Sequence, residues 1–231
     1  MNWTLRLCWL SLAAVLLIAA DPTWKERPIP QWNEEDAKQV LADSPWVKYV
    51  TPQPLRDLSM AERRDSGNWE ADGGHGVGIA GTGLLGPRRA AEAIARAHAK
   101  PQPGTVVVRW ESALPIRAAE EKTGETGAPT VDRDHYAIVV YDIPTPNKWN
   151  LAHELKGVAF LKRDKKKDLK PSRVEILRKA GGTATVVYLF PRSVEITAKD
   201  GRLEFVAQIG RLFVSQFFDT GDMQLQGKLE L

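Results

Sequence analysis

The chain has 231 residues, of which 43% are hydrophobic and 26% are charged, and it contains 18 Gly, 15 Pro and one Cys. These fractions are typical of a globular protein and exclude a collagen, a coiled coil and a wholly disordered chain. A single cysteine excludes an intramolecular disulfide framework and a cysteine-rich zinc site. The formal net charge of +3 is close to balance, so we expect no nucleic-acid partner.

The first twenty residues predict a signal peptide. Arg6 is followed by an uncharged stretch at 7–20, which has the length of a signal-peptide apolar region and is short for a membrane-spanning helix. Ala19 and Ala20 supply small residues for cleavage, and an uncleaved N-terminal anchor is the alternative. Cys8 lies inside this stretch, so a cleaved chain has no cysteine. We expect an exported protein, periplasmic or secreted, which touches the membrane only through this segment if it stays uncleaved.

Residues 21–50 predict an N-terminal arm with one short helix. Asn33 is a good N-cap and the acids at 34–36 suit the positive end of a helix dipole, so we expect a helix from Glu34 to about Ala42. Three tryptophans flank this helix and indicate that the arm docks on its own domain or on a partner. They are the first candidate interaction residues: Trp24, Trp32 and Trp46.

Residues 51–104 predict a flexible insertion rich in Gly, Ala and Pro. Seven of the fourteen residues at 73–86 are Gly, and such a segment buries little surface while it loses much entropy on ordering. The sequence at 76–81 matches G-x-G-x-x-G, but no predicted strand precedes it, so we expect no dinucleotide cofactor there. An Ala-rich helix is expected at 88–100.

Residues 105–231 predict a β-rich domain. Runs of β-branched and aromatic residues recur at hairpin spacing, and residues 203–209 and 223–231 alternate between apolar and polar side chains. Alternation with a period of two is typical of antiparallel sheets with one buried face. The predicted fold is therefore mainly β, an antiparallel β-sandwich or open barrel that is Ig-like in general architecture, with a short N-terminal helix and a Gly/Ala-rich insertion.

Turn signals divide this domain further. Asp200–Gly201 is interpreted as the turn of a hairpin, and Gly210 as a bulge or bend. One helix is expected at 112–122, after the first strand of the domain. Its neighbouring acids, Glu120 and Glu121, are interpreted as solvated surface residues.

Two polar clusters are the candidate sites of the domain. Asp132, Asp134 and His135 precede a predicted strand and form a weak metal candidate, but Arg133 lies among them, so a solvated loop is the default and no metal is expected. Six of the nine residues at 162–170 are basic and predict a solvent-exposed hairpin loop. This loop supplies the remaining candidate interaction residues: Lys165, Lys166 and Lys167.

Three stretches together resemble a family of uncharacterised exported bacterial proteins. They are QWNEEDAKQVL at 31–41 with SPW at 44–46, VRWESALP at 108–115, and YLFPR at 188–192 with GKLEL at 227–231. The resemblance covers most of the chain after residue 20 except the Gly-rich insertion. It implies export, and it carries over no activity and no functional residue.

The sequence shows no nucleophile elbow, no H-E-x-x-H motif and no other recognisable catalytic pattern. The functional prediction is a non-catalytic binding or scaffolding β-domain of the cell envelope, without a cofactor, whose partner is an envelope protein or a polysaccharide. The alternative is an exported hydrolase or metal-dependent enzyme with a site near 132–135.

Overall fold

The structure is a computed structural model that describes residues 22–54, 104–144, 152–179 and 181–231. The predicted signal peptide, Cys8, the G-x-G-x-x-G match and the Ala-rich helix lie outside the described residues. Within those described ranges, no helix has both the length and the apolar character that are needed to cross a bilayer.

Two antiparallel sheets form the body of the molecule. The strands of the larger sheet are β1 Val47–Val50, β3 Val106–Trp110, β4 His135–Pro144, β6 Arg173–Lys179 and β7 Thr183–Pro191. The strands of the smaller sheet are β2 Gln53–Pro54, β5 Ala159–Arg163, β8 Arg202–Ile209 and β9 Leu212–Asp219. Their spatial orders are β1-β3-β4-β7-β6 and β2-β9-β8-β5. The two short strands β10 Gln224–Leu225 and β11 Lys228–Leu229 pair with each other.

Short helices lie around the sheets. They are α1 Thr23–Glu26, α2 Glu34–Ala42, α3 Leu114–Thr123 and α4 Ala152–Gly157, together with 3-10 turns at Ile29–Gln31 and Ala198–Asp200. The predicted start of α2 is confirmed, because Asn33 and Asp36 form a reciprocal capping box that satisfies two backbone amides. The helix predicted at 112–122 is confirmed as α3.

The core lies between the two sheets, which confirms an open antiparallel sandwich and not a closed barrel. Aromatic rings from both sheets meet there, with centroids 5.3 Å apart for Trp110 and Phe218 and 5.3 Å apart for Tyr188 and Phe205. The period-two pattern holds in β8 and in the C-terminal segment. Its apolar members are buried in this core: Leu203, Phe205, Ala207, Ile209, Met223 and Leu225.

The N-terminal arm shares this core. Strand β1 pairs antiparallel with β3, so that Val47 lies opposite Arg109. The indole N–H of Trp46 donates to the carbonyl oxygen of Glu230 at 2.7 Å, which joins the arm to the C-terminal segment. The arm is therefore packed into the sandwich as one of its edges.

The predicted hairpin at Asp200–Gly201 is wrong. No strand precedes it, because the carboxylate of Asp200 accepts hydrogen bonds from the amide and the hydroxyl of Thr197 at 2.8 and 2.9 Å and closes a 3-10 turn. The hairpin of this region instead turns at Gly210, with a φ of 60°, where Ile209 pairs with Leu212. The expected bend at Gly210 is thus a reversal of the chain between β8 and β9.

The segment 162–170 does not connect two paired strands, as a hairpin between its flanking strands would require. Strand β5 belongs to the smaller sheet and β6 to the larger one, so the chain crosses between sheets after this segment. A single bridge between Leu161 and Leu169 closes it into a local loop. The local sequence on either side of the segment carries no information on which neighbour each strand pairs with.

Candidate functional site

A buried charged cluster lies on the larger sheet, on the side away from the sandwich core. Along β3, Val106, Val108 and Trp110 belong to the core, so Arg109 points to the other side. Arg109 is 4% exposed, and Glu111, two residues further and on the same side, is fully buried. Burial of two charged side chains on a sheet face is costly unless they pair with each other, which these do.

The guanidinium of Arg109 joins four side chains. Its Nε and Nη2 atoms donate to the carboxylate of Glu111 at 2.7 and 3.2 Å, and Nη2 donates to Oε1 of Glu120 at 2.6 Å. Its Nη1 atom donates to Oε2 of Glu125 at 3.3 Å, and the hydroxyl of Tyr141 accepts a further hydrogen bond. One cation therefore serves three carboxyl groups and a phenol.

Helix α3 and the turn after it position two of these partners. Pro115 lies in the first turn of α3, where a missing N–H removes no helical hydrogen bond. Gly124 ends the helix with a φ of 65°, a left-handed conformation that favours glycine. The amide of Glu125 then donates to the carbonyl of Glu120 at 3.0 Å, and this closed turn directs Glu125 back to Arg109.

The cluster has too little positive charge to balance every carboxyl group in ionised form. Burial, followed by the hydrogen bond and the charge of Glu111, raises the pKa of Glu120 well above its ordinary value. Burial also raises the pKa of Tyr141. Although burial acts in the opposite direction, the charge and hydrogen bond of Glu111 raise the pKa of Arg109. Burial in this cluster therefore favours the protonated forms of Glu120 and of the Tyr141 phenol.

A surface groove of about 730 Å³ lies beside α3 and reaches this cluster. We call it the α3 groove. Its lining combines apolar side chains with carboxyl groups: Ile29, Leu114, Ala118, Glu120, Glu121 and Glu125. Leu114 is 50% exposed, the largest exposed fraction of any leucine among the residues that the structure describes. Glu120 therefore belongs both to the buried cluster and to the surface of the groove.

Sequence reasoning missed this site. Glu120 and Glu121 are predicted to be solvated. This prediction is wrong for Glu120, which α3 turns towards the larger sheet, where its carboxyl group accepts a hydrogen bond from Arg109. Glu121 is exposed as expected. One signal was available. Arg109 lies in an otherwise apolar strand and Glu111 directly follows the end of that strand, two positions further along, so both are expected on one face. Their partners on α3 and β4 come from contacts that no local pattern contains.

The residues at 132–135 are brought together only in part. Nδ1 of His135 lies 2.6 Å from Oδ1 of Asp132, and Oδ2 of Asp132 accepts a hydrogen bond from Arg173 at 3.2 Å. The hydrogen bond with His135 is the largest cause that lowers the pKa of Asp132. For Asp134, the backbone amide donates to Asp132. Among the described residues, no group of three or more His, Cys, Asp or Glu side chains is placed to hold a metal ion.

The lysine-rich loop at 162–170 is anchored at its centre. Nζ of Lys166 lies 2.7 Å from the carboxylate of Asp200, which is fully buried, and the guanidinium of Arg163 lies 3.7 Å from the same carboxylate. Although burial acts in the opposite direction, the hydrogen bonds from Lys166 and Thr197 lower the pKa of Asp200. Because Lys166 pairs with Asp200, it has a structural role in this loop. The other two predicted interaction lysines, Lys165 and Lys167, are exposed.

The three tryptophans of the arm lie in the core. Trp24, Trp32 and Trp46 are each no more than 2% exposed, and the ring centroids of Trp24 and Trp46 are 5.9 Å apart. The indole N–H of Trp32 donates to the carbonyl of Trp24 at 3.0 Å. Of the two alternatives that the sequence left open, the structure shows docking on the protein's own domain.

A scan against protein-family models returns no match, and searches of curated proteins and of solved structures return no significant match. The resemblance to a family of exported bacterial proteins therefore stays a prediction. The geometry of the described residues is what bears on function.

Proposed function

We propose that this chain is an exported binding domain of the cell envelope with no catalytic step of its own, and that its ligand lies in the α3 groove. The observation that carries this proposal is the groove itself. It combines an exposed apolar side chain, Leu114, with the carboxyl groups of Glu120, Glu121 and Glu125. A concave surface with apolar walls and a few placed polar groups is the ordinary form of a ligand site.

The polar part of the groove is already ordered. Arg109 holds the carboxyl groups of Glu120 and Glu125 at 2.6 and 3.3 Å. Side chains that are fixed before binding lose less conformational entropy when a ligand arrives, so their contacts contribute more to affinity. This arrangement supports binding, which is the function that the sequence also predicts.

The enzyme alternative near 132–135 has less support. The carboxylate of Asp132 is shared between a hydrogen bond with the imidazole of His135 and a surface ion pair with Arg173. Asp132, Asp134 and His135 do not line the α3 groove. A catalytic pair needs a concave site where substrate meets both groups, and the α3 groove does not supply one for these residues.

Site-specific photocrosslinking tests the binding site. A photoreactive phenylalanine analogue replaces Leu114 in the groove or, as the control, Leu177 on β6, which is 40% exposed and lies outside the groove. Irradiation of cells that make the protein is expected to give a discrete adduct at position 114 and none at position 177. Equal adducts at both positions, or none at position 114, would contradict the proposal.

Export is tested on the same cells. Intact mass spectrometry of the purified protein measures where the chain begins, and cleavage after Ala20 leaves a chain that starts at Asp21. Fractionation then measures whether this shortened chain is outside the cytoplasm. A full-length chain in the cytoplasmic fraction is the result that contradicts export.

A further inference from the structure

The α3 groove carries more carboxyl groups than cations. Three glutamates and one arginine, Arg117, line it. The guanidinium of Arg117 lies 3.6 Å from Glu120, so it is directed to a carboxyl group that the buried cluster already uses. Arg109, behind the groove, is likewise shared among several carboxyl groups. The groove therefore has negative charge that these two guanidinium groups do not balance.

Two side chains carry the carboxylates of the groove that are open to solvent. Within the part of the chain that the structure describes, Glu121 forms no ion pair. Glu125 lies 3.3 Å from Arg109, a longer contact than the 2.7 and 2.6 Å that Arg109 makes with Glu111 and Glu120. The side chain of Glu125 is 35% exposed. Both carboxylates are therefore accessible to a cation that arrives from solvent.

The open shape of the groove favours part of a larger partner over a free small molecule. A ligand site usually encloses most of a small molecule, and an open groove leaves much of such a ligand in water. A polypeptide segment can cross the groove and make further contacts beyond its rim. Lysine and arginine side chains combine an aliphatic stem with a cationic end, which matches an apolar wall beside solvent-accessible carboxylates.

We propose that the α3 groove binds a lysine or arginine side chain presented by an extended segment of a partner protein. The stem of that side chain lies against Leu114 and Ala118, and its charged end lies between Glu121 and Glu125. This inference rests on the proposed function, because it names the kind of ligand that the same groove takes.

A titration of the 15N-labelled protein, followed by NMR, tests this inference. The probe is a capped pentapeptide of sequence Leu-Lys-Ala-Lys-Leu, and its comparison is the same peptide with both lysines acetylated at Nζ, which keeps the stems and removes the charges. We expect the lysine peptide to shift the amide signals of Ala118, Gly124 and Thr126. Acetylation is expected to weaken binding about threefold to tenfold, the range for two partly exposed charge pairs.

Variants of the protein test whether the carboxylates of Glu121 and Glu125 bind the lysine peptide. Glu121→Gln combined with Glu125→Gln is expected to weaken binding of the lysine peptide by a similar factor and to leave the acetylated peptide unchanged. Glu154→Gln combined with Glu195→Gln is the matched control, since it removes two exposed carboxylates outside the groove. Glu121→Gln alone leaves the Arg109 cluster intact, so it tests the inference even if the double variant folds poorly.

Two results overturn the inference. Equal binding of the lysine and acetylated peptides at the groove means that charge is not recognised, although the groove remains a binding site. No shift of groove amides by the lysine peptide means that the cationic segment is the wrong ligand. In that second case, the crosslink at position 114 decides separately whether the proposed function stands.

Discussion

The main role of Arg109 in stability is to compensate the buried charge of Glu111. A buried ion pair often contributes little net stability, but removal of one partner leaves the other as an uncompensated buried charge. Glu111 is fully buried and accepts two hydrogen bonds from Arg109. The cluster is therefore sensitive to any change that alters its balance of charge.

Arg109→Met is expected to lower the free energy of unfolding by about 3–5 kcal/mol, because it leaves Glu111 charged and without its cation. Arg109→Met combined with Glu111→Gln is expected to recover part of that loss, since the buried charge is then gone. Urea denaturation of the wild type, both single variants and the double variant measures the coupling. Additive losses in the double variant would contradict the description of the pair as mutually dependent.

Glu120 links stability to pH. Its pKa in the folded protein is raised above the ordinary value of 4.5, so the folded state keeps a proton that the unfolded chain releases as the pH rises through 4.5. The free energy of unfolding therefore falls above that pH, until the folded pKa is reached. Glu120→Gln mimics the protonated side chain and removes this slope.

We expect Glu120→Gln to gain stability relative to the wild type between pH 5 and pH 8, by an amount on the order of 1.4 kcal/mol for each unit of pKa shift that falls in this window. Chemical denaturation at both pH values measures the difference. Glu154→Gln, an exposed glutamate on α4, is the control and should follow the wild type. Parallel curves for the wild type and Glu120→Gln would show that Glu120 is ionised in the folded protein.

At the scale of elements, the loop at 162–170 is held by one carboxylate from another part of the chain. The carboxylate of Asp200 accepts hydrogen bonds from Lys166 of the loop and from the amide of Thr197 beside its own 3-10 turn. The ionised carboxylate of Asp200 therefore stabilises the loop, and this contribution is lost when the pH falls through the lowered pKa of Asp200.

Asp200→Asn is expected to lower the free energy of unfolding by about 1–3 kcal/mol. Lys166 and Thr197 donate to different oxygens of Asp200, and an amide replaces one of these oxygens with an NH2 donor. Hydrogen exchange of the backbone across 162–170 should become faster in this variant. Asp168→Asn, an exposed aspartate in the same loop, is the control and should leave the exchange unchanged. Unchanged exchange in Asp200→Asn would mean that the Leu161–Leu169 bridge alone orders the loop.

Local patterns in the sequence predicted the elements better than their partners. The cap at Asn33 and the alternation in β8 depend on neighbours within a few residues, and both predictions are confirmed. The predicted hairpin at Asp200–Gly201 was wrong because Thr197 donates hydrogen bonds to the Asp200 carboxylate, which forms a 3-10 turn in place of a strand end. The Arg109 cluster was missed because Tyr141 lies 32 residues away along the chain. Contacts at that separation leave no local periodicity.

At the scale of the molecule, the arm and the sandwich are expected to unfold together. The arm contributes the edge strand β1 and three buried indoles to the common core. A segment with that much shared apolar surface has no separate stability of its own. The sequence identified the arm by composition, but composition alone left open whether its tryptophans face this domain or a partner.

Trp24→Ala is expected to lower the free energy of unfolding of the whole chain by about 3–5 kcal/mol, the usual cost of emptying a buried aromatic site. Far-UV and near-UV circular dichroism should report one coincident transition in both the wild type and the variant. Leu177→Ala, at a partly exposed leucine, is the control and should cost much less. Two separate transitions would show that the arm folds as an independent unit.

The hydrogen bond from Trp46 to Glu230 spans 184 positions of the sequence. During synthesis, Trp46 leaves the ribosome long before Glu230 is added. The hydrogen bond between them, which joins the N-terminal arm to the C-terminal segment, therefore forms only after residue 230 has emerged. Resistance to protease is thus expected to arrive late in synthesis and in a single step.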